Sequence, residues 1–216
     1  MSVSENIQKI KKEIPTGVDL VAVSKTQSHS KIKEAYDSGH RAFGENKVQE
    51  LVEKYEKLPK DIRWHMIGHL QTNKVKYIAP FVELIHAVDS EKLLNEIDKR
   101  AQQNNRIIDC LLQVHIATES TKFGLSENEA NEILLRKEEY KNVNIRGLMG
   151  MATFTNNNNQ IKEEFDFLSS IFKKYDYLNT LSMGMSGDYK IAINCGSTMV
   201  RIGSTIFGAR NYKDYE

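Results

Sequence analysis

The chain has 216 residues, of which 40% are hydrophobic and 27% charged, which is typical of a folded globular protein and argues against disorder. Lysine and arginine number 30 and aspartate and glutamate 29, so the net charge of +1 gives no electrostatic reason to expect nucleic acid or a membrane surface as a partner. No apolar run approaches the roughly 20 residues of a membrane span, and the charged N-terminus lacks the apolar core of a secretory signal. Two cysteines in apolar stretches, Cys110 and Cys195, indicate reduced thiols and a cytoplasmic location.

Helical and strand patterns alternate along the chain. A helix is predicted over about residues 1–14, where Val3, Ile7 and Ile10 share one face. Short apolar or β-branched runs then predict strands, and each run is followed by a helical pattern, with the last as the possible exception. In chain order, the predicted strands are Val18–Val23, Arg41–Phe43, Arg63–Ile67, Glu83–Val88, Ile107–Ile116, Asn144–Leu148, Asn179–Ser182 and Thr198–Arg201.

The predicted helices are marked by capping residues or by an apolar face. Ser28 or Ser30 is expected to cap the helix after the first strand, and Ser90 the helix after the fourth. Ser126 and Glu129 have the spacing of a capping box at the start of a later helix. The remaining helices are predicted at Asn46–Tyr55, at Thr72–Tyr77, after the asparagine loop Asn156–Asn159, and at Asp188–Asn194.

The alternation determines the expected fold. Strands that alternate with helices form parallel sheets with right-handed crossovers. This pattern predicts an α/β fold, a single (β/α)₈ TIM barrel over about residues 18–210 with an extra N-terminal helix. An open doubly wound sheet is the alternative, although no G-x-G-x-x-G string follows the first strand. Because no linker-like segment divides the chain, residues 1–216 are expected to form one domain.

Lys25 follows the first predicted strand directly, at the end where barrels of this kind carry their functional groups. In an apolar setting, desolvation lowers the pKa of a lysine, and the neutral amine can then form a Schiff base with an aldehyde. The alternative is a lysine that simply extends out of the barrel mouth into solvent.

Two segments with glycines and hydroxyl side chains, Ser182–Asp188 and Arg201–Gly208, follow the last two predicted strands. TIM barrels often bind phosphate at this position. Glycines let backbone N–H groups approach an anion and hydroxyls add donors, so Ser186, Gly203 and Ser204 are the predicted phosphate-binding residues. Either loop alone could equally be an ordinary turn.

Arg201 ends the last predicted strand and is expected to point toward the barrel mouth. A guanidinium has donors only, so an arginine that faces a cofactor's pyridine nitrogen would keep that nitrogen unprotonated and weaken the ring as an electron sink. This interpretation predicts cofactor binding without strong carbanion chemistry. The alternative is a structural arginine in a salt bridge at the rim.

Several strings, spread from near the start to near the end of the chain, carry a resemblance to a known family. The matching strings are Ala22–Thr26, Phe43–Asn46, His65–Lys74, Gly147–Met149, Leu181–Ser186, Gly196–Gly203 and Phe207–Gly208. Together they closely resemble the pyridoxal phosphate homeostasis proteins (the YggS/PROSC family), whose fold is similar to the N-terminal barrel of bacterial alanine racemase.

The resemblance implies that the cofactor is pyridoxal 5′-phosphate (PLP) and that Lys25 holds it as a Schiff base. It further implies that Arg201 lies at the pyridine nitrogen, that the three predicted phosphate residues form the phosphate site, and that Asn46 lies near the ring hydroxyl. Lys122 matches a lysine implicated in secondary cofactor binding in some members, and it could equally be a solvated loop residue.

The family's members are described as regulators of intracellular PLP and of amino- and keto-acid balance, without established catalytic activity. The resemblance therefore implies a PLP-binding regulator without catalytic residues, with apo forms of PLP-dependent enzymes as candidate partners. A monomer is expected, because no coiled-coil heptad or long apolar surface is visible in the sequence. His65 and His69 are four residues apart, but no carboxylate completes a ligand set, so no metal site is expected.

Two catalytic alternatives remain open. An amino-acid racemase needs a second acid/base group on the opposite face of the substrate. By resemblance, racemases take that group from a β domain, and too few residues follow Arg201 to form one. A barrel aldolase would use the lysine without a cofactor, and the phosphate loops would then hold a sugar phosphate.

Overall fold

The structure, a computed structural model, describes residues 2–119 and 123–208. Within them, parallel strands form a closed barrel in which each strand pairs with the next one in sequence and the last pairs with the first. The strands are β1 Asp19–Val23, β2 Ala42–Glu45, β3 Arg63–Met66, β4 Leu84–Val88, β5 Ile108–Gln113, β6 Val143–Met149, β7 Thr180–Ser182 and β8 Met199–Ile202. The predicted TIM barrel is therefore confirmed, and the open doubly wound alternative is wrong.

Helices surround the barrel, and each predicted helix is present. They are α1 Val3–Glu13, α2 His29–Asp37, α3 Val48–Lys57, α4 Val75–Ile78, α5 Glu91–Gln103, α6 Glu127–Leu135, α7 Asn158–Phe172, α8 Tyr189–Asn194 and α9 Ser204–Phe207, with 3₁₀ turns at Thr72–Lys74 and Lys137–Glu139. The short α9 follows the last strand, where the sequence left the presence of a helix undecided. Among the described residues, no helix has the length and apolar character needed to cross a bilayer.

Two apolar layers hold the barrel together, because successive side chains of a strand point to opposite faces. In β1, Leu20 and Ala22 belong to the large core between the strands and the helices, whereas Val21 belongs to a smaller cluster. That smaller cluster consists of strand residues and fills the barrel interior. Its buried members are Val21, Leu84, Ala87, Leu111, Met149 and Met199.

The N-terminal helix α1 packs on the barrel through the face that the sequence predicted. Val3, Ile7 and Ile10 are buried, and Ser2 and Glu5 form a capping box at its start. The Asn6 side-chain amide donates a hydrogen bond to the carbonyl of Ile206 over 2.9 Å, which ties α1 to α9 beside the last strand. The extra N-terminal helix is therefore confirmed, while the assignment of residues 1–216 to one domain stays a prediction.

The main difference from the predicted elements is the length of β5. The apolar run continues to Ile116, but the strand ends at Gln113. Beyond it, Val114 forms an isolated bridge with Leu125, and the Leu125 N–H donates to the Gln113 carbonyl over 2.8 Å. The last residues of the run therefore pair with a returning loop, which buries apolar side chains as a strand would.

Candidate functional site

A cavity of about 400 Å³ opens at the carboxyl ends of the strands, which is the functional end of such barrels. Each of the six side chains or glycines selected from the sequence lines this cavity. These residues are Lys25, Asn46, Ser186, Arg201, Gly203 and Ser204. The fold thus brings together residues up to 179 positions apart, Lys25 and Ser204, at one opening.

Lys25 lies in the turn that follows β1 and is half-buried at the cavity wall. The turn begins where the Ser24 N–H donates to the Gly44 carbonyl of β2 over 3.0 Å. The next residue, Thr26, has a φ of 63°, which is an uncommon value for a β-branched residue. Such strained backbone persists only where the surrounding structure enforces it, so the conformation of this turn is imposed by its neighbours.

The two predicted phosphate loops are joined to each other. The Gly203 N–H donates to the Ser186 hydroxyl oxygen over 3.2 Å, and the Arg201 N–H donates to the Gly184 carbonyl over 3.0 Å. Gly184 has a φ of +93°, and a Cβ there would lie 2.6 Å from the Cβ of Ala192, so glycine is required. The loops after β7 and β8 therefore form one connected wall with hydroxyl and N–H groups.

Arg201 is buried, with 3% of its surface exposed, at the inner end of the cavity. Its Nη1 donates to the carbonyl of Ser182 over 2.9 Å and also to the Ser182 hydroxyl, and its Nη2 donates to the Gly150 carbonyl over 3.0 Å. Burial lowers the pKa of Arg201 to about 10, which leaves the guanidinium protonated at neutral pH. Among the described contacts, neutral acceptors set the orientation of the guanidinium, and its burial places it away from the rim.

Behind Arg201, a hydrogen-bonded chain crosses the barrel interior. The Ser182 hydroxyl lies 3.0 Å from Nδ1 of His86, and Nε2 of His86 lies 2.9 Å from Nδ1 of His65. Burial lowers the pKa of His65 to about 3 and that of His86 well below its usual range, so both rings are neutral. The sequence did not predict this network. Its one signal was His86, a polar residue within the apolar run of β4.

A second polar group missed by the sequence analysis lies beneath the turn of Lys25. Lys54 of α3 is buried, and its ammonium nitrogen lies 2.8 Å from Oε1 of Glu45 and 2.6 Å from Oε1 of Glu50. Burial raises the pKa of Glu45 to about 7, against the opposing effect of the Lys54 charge. The Glu45 carboxylate ends β2 within the string Phe43–Asn46, but nothing in that string indicated an ion cluster.

Asn46 and apolar side chains complete the lining of the cavity. Gly68 lets the loop after β3 lie against the loop after β2, because a Cβ at Gly68 would be 2.6 Å from the Asn46 carbonyl oxygen. The apolar lining residues are Val23, Ile67, Met151, Phe154 and Met185. Phe154 is 97% exposed, so the lining carries an apolar side chain at the surface as well as a buried guanidinium.

The remaining candidates from the sequence lie elsewhere. His65 is buried in the barrel, whereas His69 lies at the surface, 2.7 Å from Asp89 and stacked on Phe123. The two histidines therefore make separate contacts, and residues 2–119 and 123–208 contain no cluster of three or more His, Cys, Asp or Glu side chains suited to a metal ion. Lys122 lies outside the described residues.

Comparison with known proteins gives the family. Residues 2–211 match the family model described as "Alanine racemase, N-terminal domain". A pyridoxal phosphate homeostasis protein of Aquifex aeolicus is 40% identical over 219 residues, which cover 97% of this chain and 96% of that protein. PipY of Synechococcus elongatus, solved with PLP bound, superposes with a TM-score of 0.89 at 32% identity, and the match covers 96% of this chain and 100% of PipY.

A more distant likeness concerns the fold alone. Alanine racemase of Bartonella henselae is 16% identical with a TM-score of 0.76, and the match covers 96% of this chain but 58% of the racemase. The full-length matches, in contrast, are to proteins named for pyridoxal phosphate homeostasis. The chain therefore belongs to the family of pyridoxal phosphate homeostasis proteins.

Proposed function

We propose that this protein binds PLP in the cavity at the barrel mouth, holds it covalently on Lys25, and acts in PLP homeostasis. The observation that carries the proposal is the joint placement, in one cavity, of a lysine amine, a buried guanidinium, and paired loops with hydroxyl and N–H donors. Family membership supports the same ligand, since PipY is described with PLP bound.

The residues present fit the chemistry of PLP. A volume of about 400 Å³ lies within the range of small-molecule sites, and a lining of apolar side chains, a guanidinium and hydroxyl groups suits an aromatic ring with an anionic tail. Ser186, Gly203 and Ser204 would hold the phosphate, because the two hydroxyls can donate to it and the bond from the Gly203 N–H to the Ser186 hydroxyl oxygen joins their loops. Asn46 of the same cavity lining would contact the ring's hydroxyl side.

Lys25 supplies the covalent attachment in this proposal. Its ε-amine, in the neutral form, would add to the aldehyde carbon of PLP with loss of one water molecule, which would attach the cofactor to the protein. The side chain is half-buried at the cavity wall, within the same lining as the other proposed PLP contacts.

Arg201 would determine how the bound ring reacts. Bound PLP can withdraw electrons from a substrate carbon most strongly when its pyridine nitrogen carries a proton. Arg201 remains a cation and offers donors only, so at that nitrogen it would donate a hydrogen bond and keep the nitrogen unprotonated. This arrangement favours storage of PLP over carbanion chemistry.

The proposed role is therefore regulatory rather than catalytic. A protein that binds the aldehyde reversibly limits its free concentration, and apo forms of PLP-dependent enzymes are the candidate recipients. Cys110 and Cys195 are free and buried, which fits a reducing compartment such as the cytoplasm. A monomeric state remains the expectation from the sequence.

Reductive trapping tests the attachment point. After incubation with PLP and treatment with borohydride, wild type should carry the label on the peptide that contains Lys25. Lys25→Ala should lose that label, whereas Lys33→Ala, which alters an exposed lysine of α2, should keep it. Equal labelling of Lys25→Ala at other lysines, with unchanged PLP affinity, would contradict the proposal.

Racemisation is the competing function, since the barrel fold is shared with alanine racemase. Apart from Lys25 and Arg201, the described cavity lining contains one titratable side chain, Asp188, whose Oδ1 accepts a hydrogen bond from the Met185 N–H over 2.6 Å. A chiral assay of alanine with PLP-loaded protein should show no turnover above background. Turnover that is lost in Lys25→Ala would establish an enzyme instead.

A further inference from the structure

Lys25 is flanked by two residues that bond to the same ion cluster, formed by the buried Glu45 and Lys54 and the partly exposed Glu50. We infer that this cluster is a positioning device that holds the Lys25 turn in the orientation needed to reach an aldehyde in the cavity. The inference rests on the proposed function, and it assigns a role to residues that line no part of the cavity themselves.

The cluster contacts the turn on both sides of Lys25. On the preceding side, Lys54 Nζ donates to the Ser24 carbonyl over 2.7 Å, and the Ser24 hydroxyl donates to Glu45 Oε1 over 2.5 Å. On the following side, the Thr26 N–H donates to Glu50 Oε1 over 2.6 Å. The backbone that carries Lys25 is therefore held at two points by groups from β2 and α3.

Lys54 joins the members of the cluster, and Oε2 of Glu45 is buried without a hydrogen-bond partner among the described residues. An ammonium group has three N–H donors, and Lys54 directs them to Ser24, Glu45 and Glu50. Lys54 and Glu45 have exposed side-chain fractions of 3% and 0%, so both groups lie away from water. Because a buried ion group is often no more stabilising than apolar residues of similar volume, its contribution here is to geometry.

The backbone of Thr26 shows what that geometry achieves. A positive φ at a β-branched residue is costly, and the turn's own bond, from the Gln27 N–H to the Ser24 carbonyl over 3.0 Å, leaves the Thr26 N–H to an external partner. The charge-assisted bond to Glu50 offsets this cost in the observed conformation. Relaxation of Thr26 would redirect the adjacent Lys25 side chain, whereas the phosphate loops after β7 and β8 would stay in place.

The affinities of two ligands distinguish an effect on the position of Lys25 from general damage to the fold. PLP needs both the covalent bond and the phosphate and ring contacts, whereas pyridoxine 5′-phosphate carries an alcohol in place of the aldehyde and needs only the contacts. We expect Glu50→Ala to weaken PLP binding about tenfold, as the loss of one charge-assisted hydrogen bond implies, and to leave pyridoxine 5′-phosphate binding unchanged. The rate of borohydride labelling on Lys25 should fall with the PLP affinity.

The same helix provides a matched control. Glu53 pairs with Lys57 over 2.8 Å at the same i,i+4 spacing as Glu50 with Lys54, but on the exposed surface. Glu53→Ala should behave like wild type with both ligands. Glu50→Gln keeps an oxygen that can accept the Thr26 N–H, so it should recover most of the PLP affinity lost in Glu50→Ala.

A second variant, Lys54→Met, removes the cation and should show the same selective loss of PLP binding. Equal weakening of both ligands in Glu50→Ala and Lys54→Met, or PLP binding equal to wild type, would overturn the inference. Failure of Glu50→Gln to recover would likewise contradict a role for the Thr26 bond. Failure of wild type itself to bind or be labelled would instead overturn the proposed function, so the two failures are distinguishable.

Discussion

Arg201 determines the hydrogen positions of the two histidines inside the barrel. Because a guanidinium can only donate, the Ser182 hydroxyl oxygen accepts from Arg201 and directs its own hydrogen to Nδ1 of His86. His86 must then carry its hydrogen on Nε2 and donate it to Nδ1 of His65. The opposite direction would leave the Ser182 hydrogen without an acceptor among the described contacts. Each donor in the network therefore points away from the cavity, from Arg201 through Ser182 and His86 to His65.

This reasoning predicts that both His65 and His86 are Nε2–H tautomers and stay neutral down to about pH 5, because burial lowers their pKa values. Long-range nitrogen–proton NMR spectra of the ligand-free protein measure the tautomers directly. In Ser182→Ala, His86 loses the donor to its Nδ1, and its tautomer should no longer be fixed. A hydrogen on Nδ1 of His86 in wild type would show that the network runs the other way.

The residues that face the cavity could be selected from the sequence, but those behind them could not. Lys25 lies two residues beyond β1 and Arg201 is the next-to-last residue of β8, and the approximate ends of strands can be read from apolar periodicity. His86 and Ser182 are 96 residues apart, and their contact depends on the register of β4 and β7 around the barrel. A single sequence contains no measure of that register, so the partners of Arg201 emerge only from the structure.

At the scale of single elements, helix caps show where local sequence is a sufficient guide. The predicted capping box at α6 is confirmed, since the Ser126 hydroxyl accepts from the Glu129 N–H and the Glu129 side chain accepts from the Ser126 N–H. Ser28, one of two caps predicted for α2, is the N-cap by position, but its side chain makes no capping bond. Its hydroxyl lies 2.9 Å from that of Ser30 instead.

These two caps should differ in their contribution to stability. Ser126→Ala removes a side-chain bond to the first turn of α6 and should lower the free energy of unfolding by about 1 kcal/mol. Ser28→Ala removes a hydroxyl that accepts no hydrogen bond from a helix N–H. Its free energy of unfolding should stay within about 0.5 kcal/mol of wild type. Urea unfolding of both variants measures the difference, and equal losses would refute it.

The loop after β7 gives a second comparison between neighbouring positions. Gly184→Ala places a Cβ 2.9 Å from the Cα of Tyr189 at a φ of +93°, so we expect a loss of about 2–3 kcal/mol in stability. Gly187→Ala, three residues further, meets open space, and its stability should stay within about 0.5 kcal/mol of wild type. Thermal unfolding would contradict this explanation if both variants lost the same amount.

For the whole molecule, the closed barrel follows from a count of alternating strands and helices, but that count does not fix where each strand ends. The number and order of strands were predictable, because each apolar run must be buried against a helix. The end of β5 was not predictable. Val114 lies beyond the strand in an isolated bridge to Leu125, yet it is buried as a strand residue would be. Burial alone therefore predicts which residues face the core, but not which partner supplies the backbone hydrogen bonds.

Buried titratable groups give the whole molecule a distinct dependence of stability on pH. Burial lowers the pKa of His40 to about 4, that of His65 to about 3 and that of His86 well below its ordinary range, whereas it raises the pKa of Glu45 to about 7. Stability changes with pH in proportion to the protons bound by the unfolded chain minus those bound by the native state. The signs of the four shifts therefore determine the direction.

As the pH falls from about 6.5 to about 4.5, the unfolded chain takes up a proton on each of the three histidines, whereas the native rings stay largely neutral. Over the same interval, native Glu45 already holds a proton that the unfolded chain lacks. The unfolded chain therefore binds almost two protons more than the native state. The free energy of unfolding should decrease toward acid pH by up to roughly 3 kcal/mol per pH unit.

Urea unfolding at about pH 7 and about pH 5 measures this decrease, and stability that is constant or rises toward acid pH would contradict it. Glu45→Gln provides the internal check. Of the four groups, Glu45 alone binds its proton more tightly in the native state, and the variant removes it. The amide oxygen of the variant can still accept hydrogen bonds from Lys54 and Ser24. Its stability should therefore fall more steeply toward acid pH than that of wild type, while a variant slope equal to the wild-type slope would show that Glu45 is ionised in the native state.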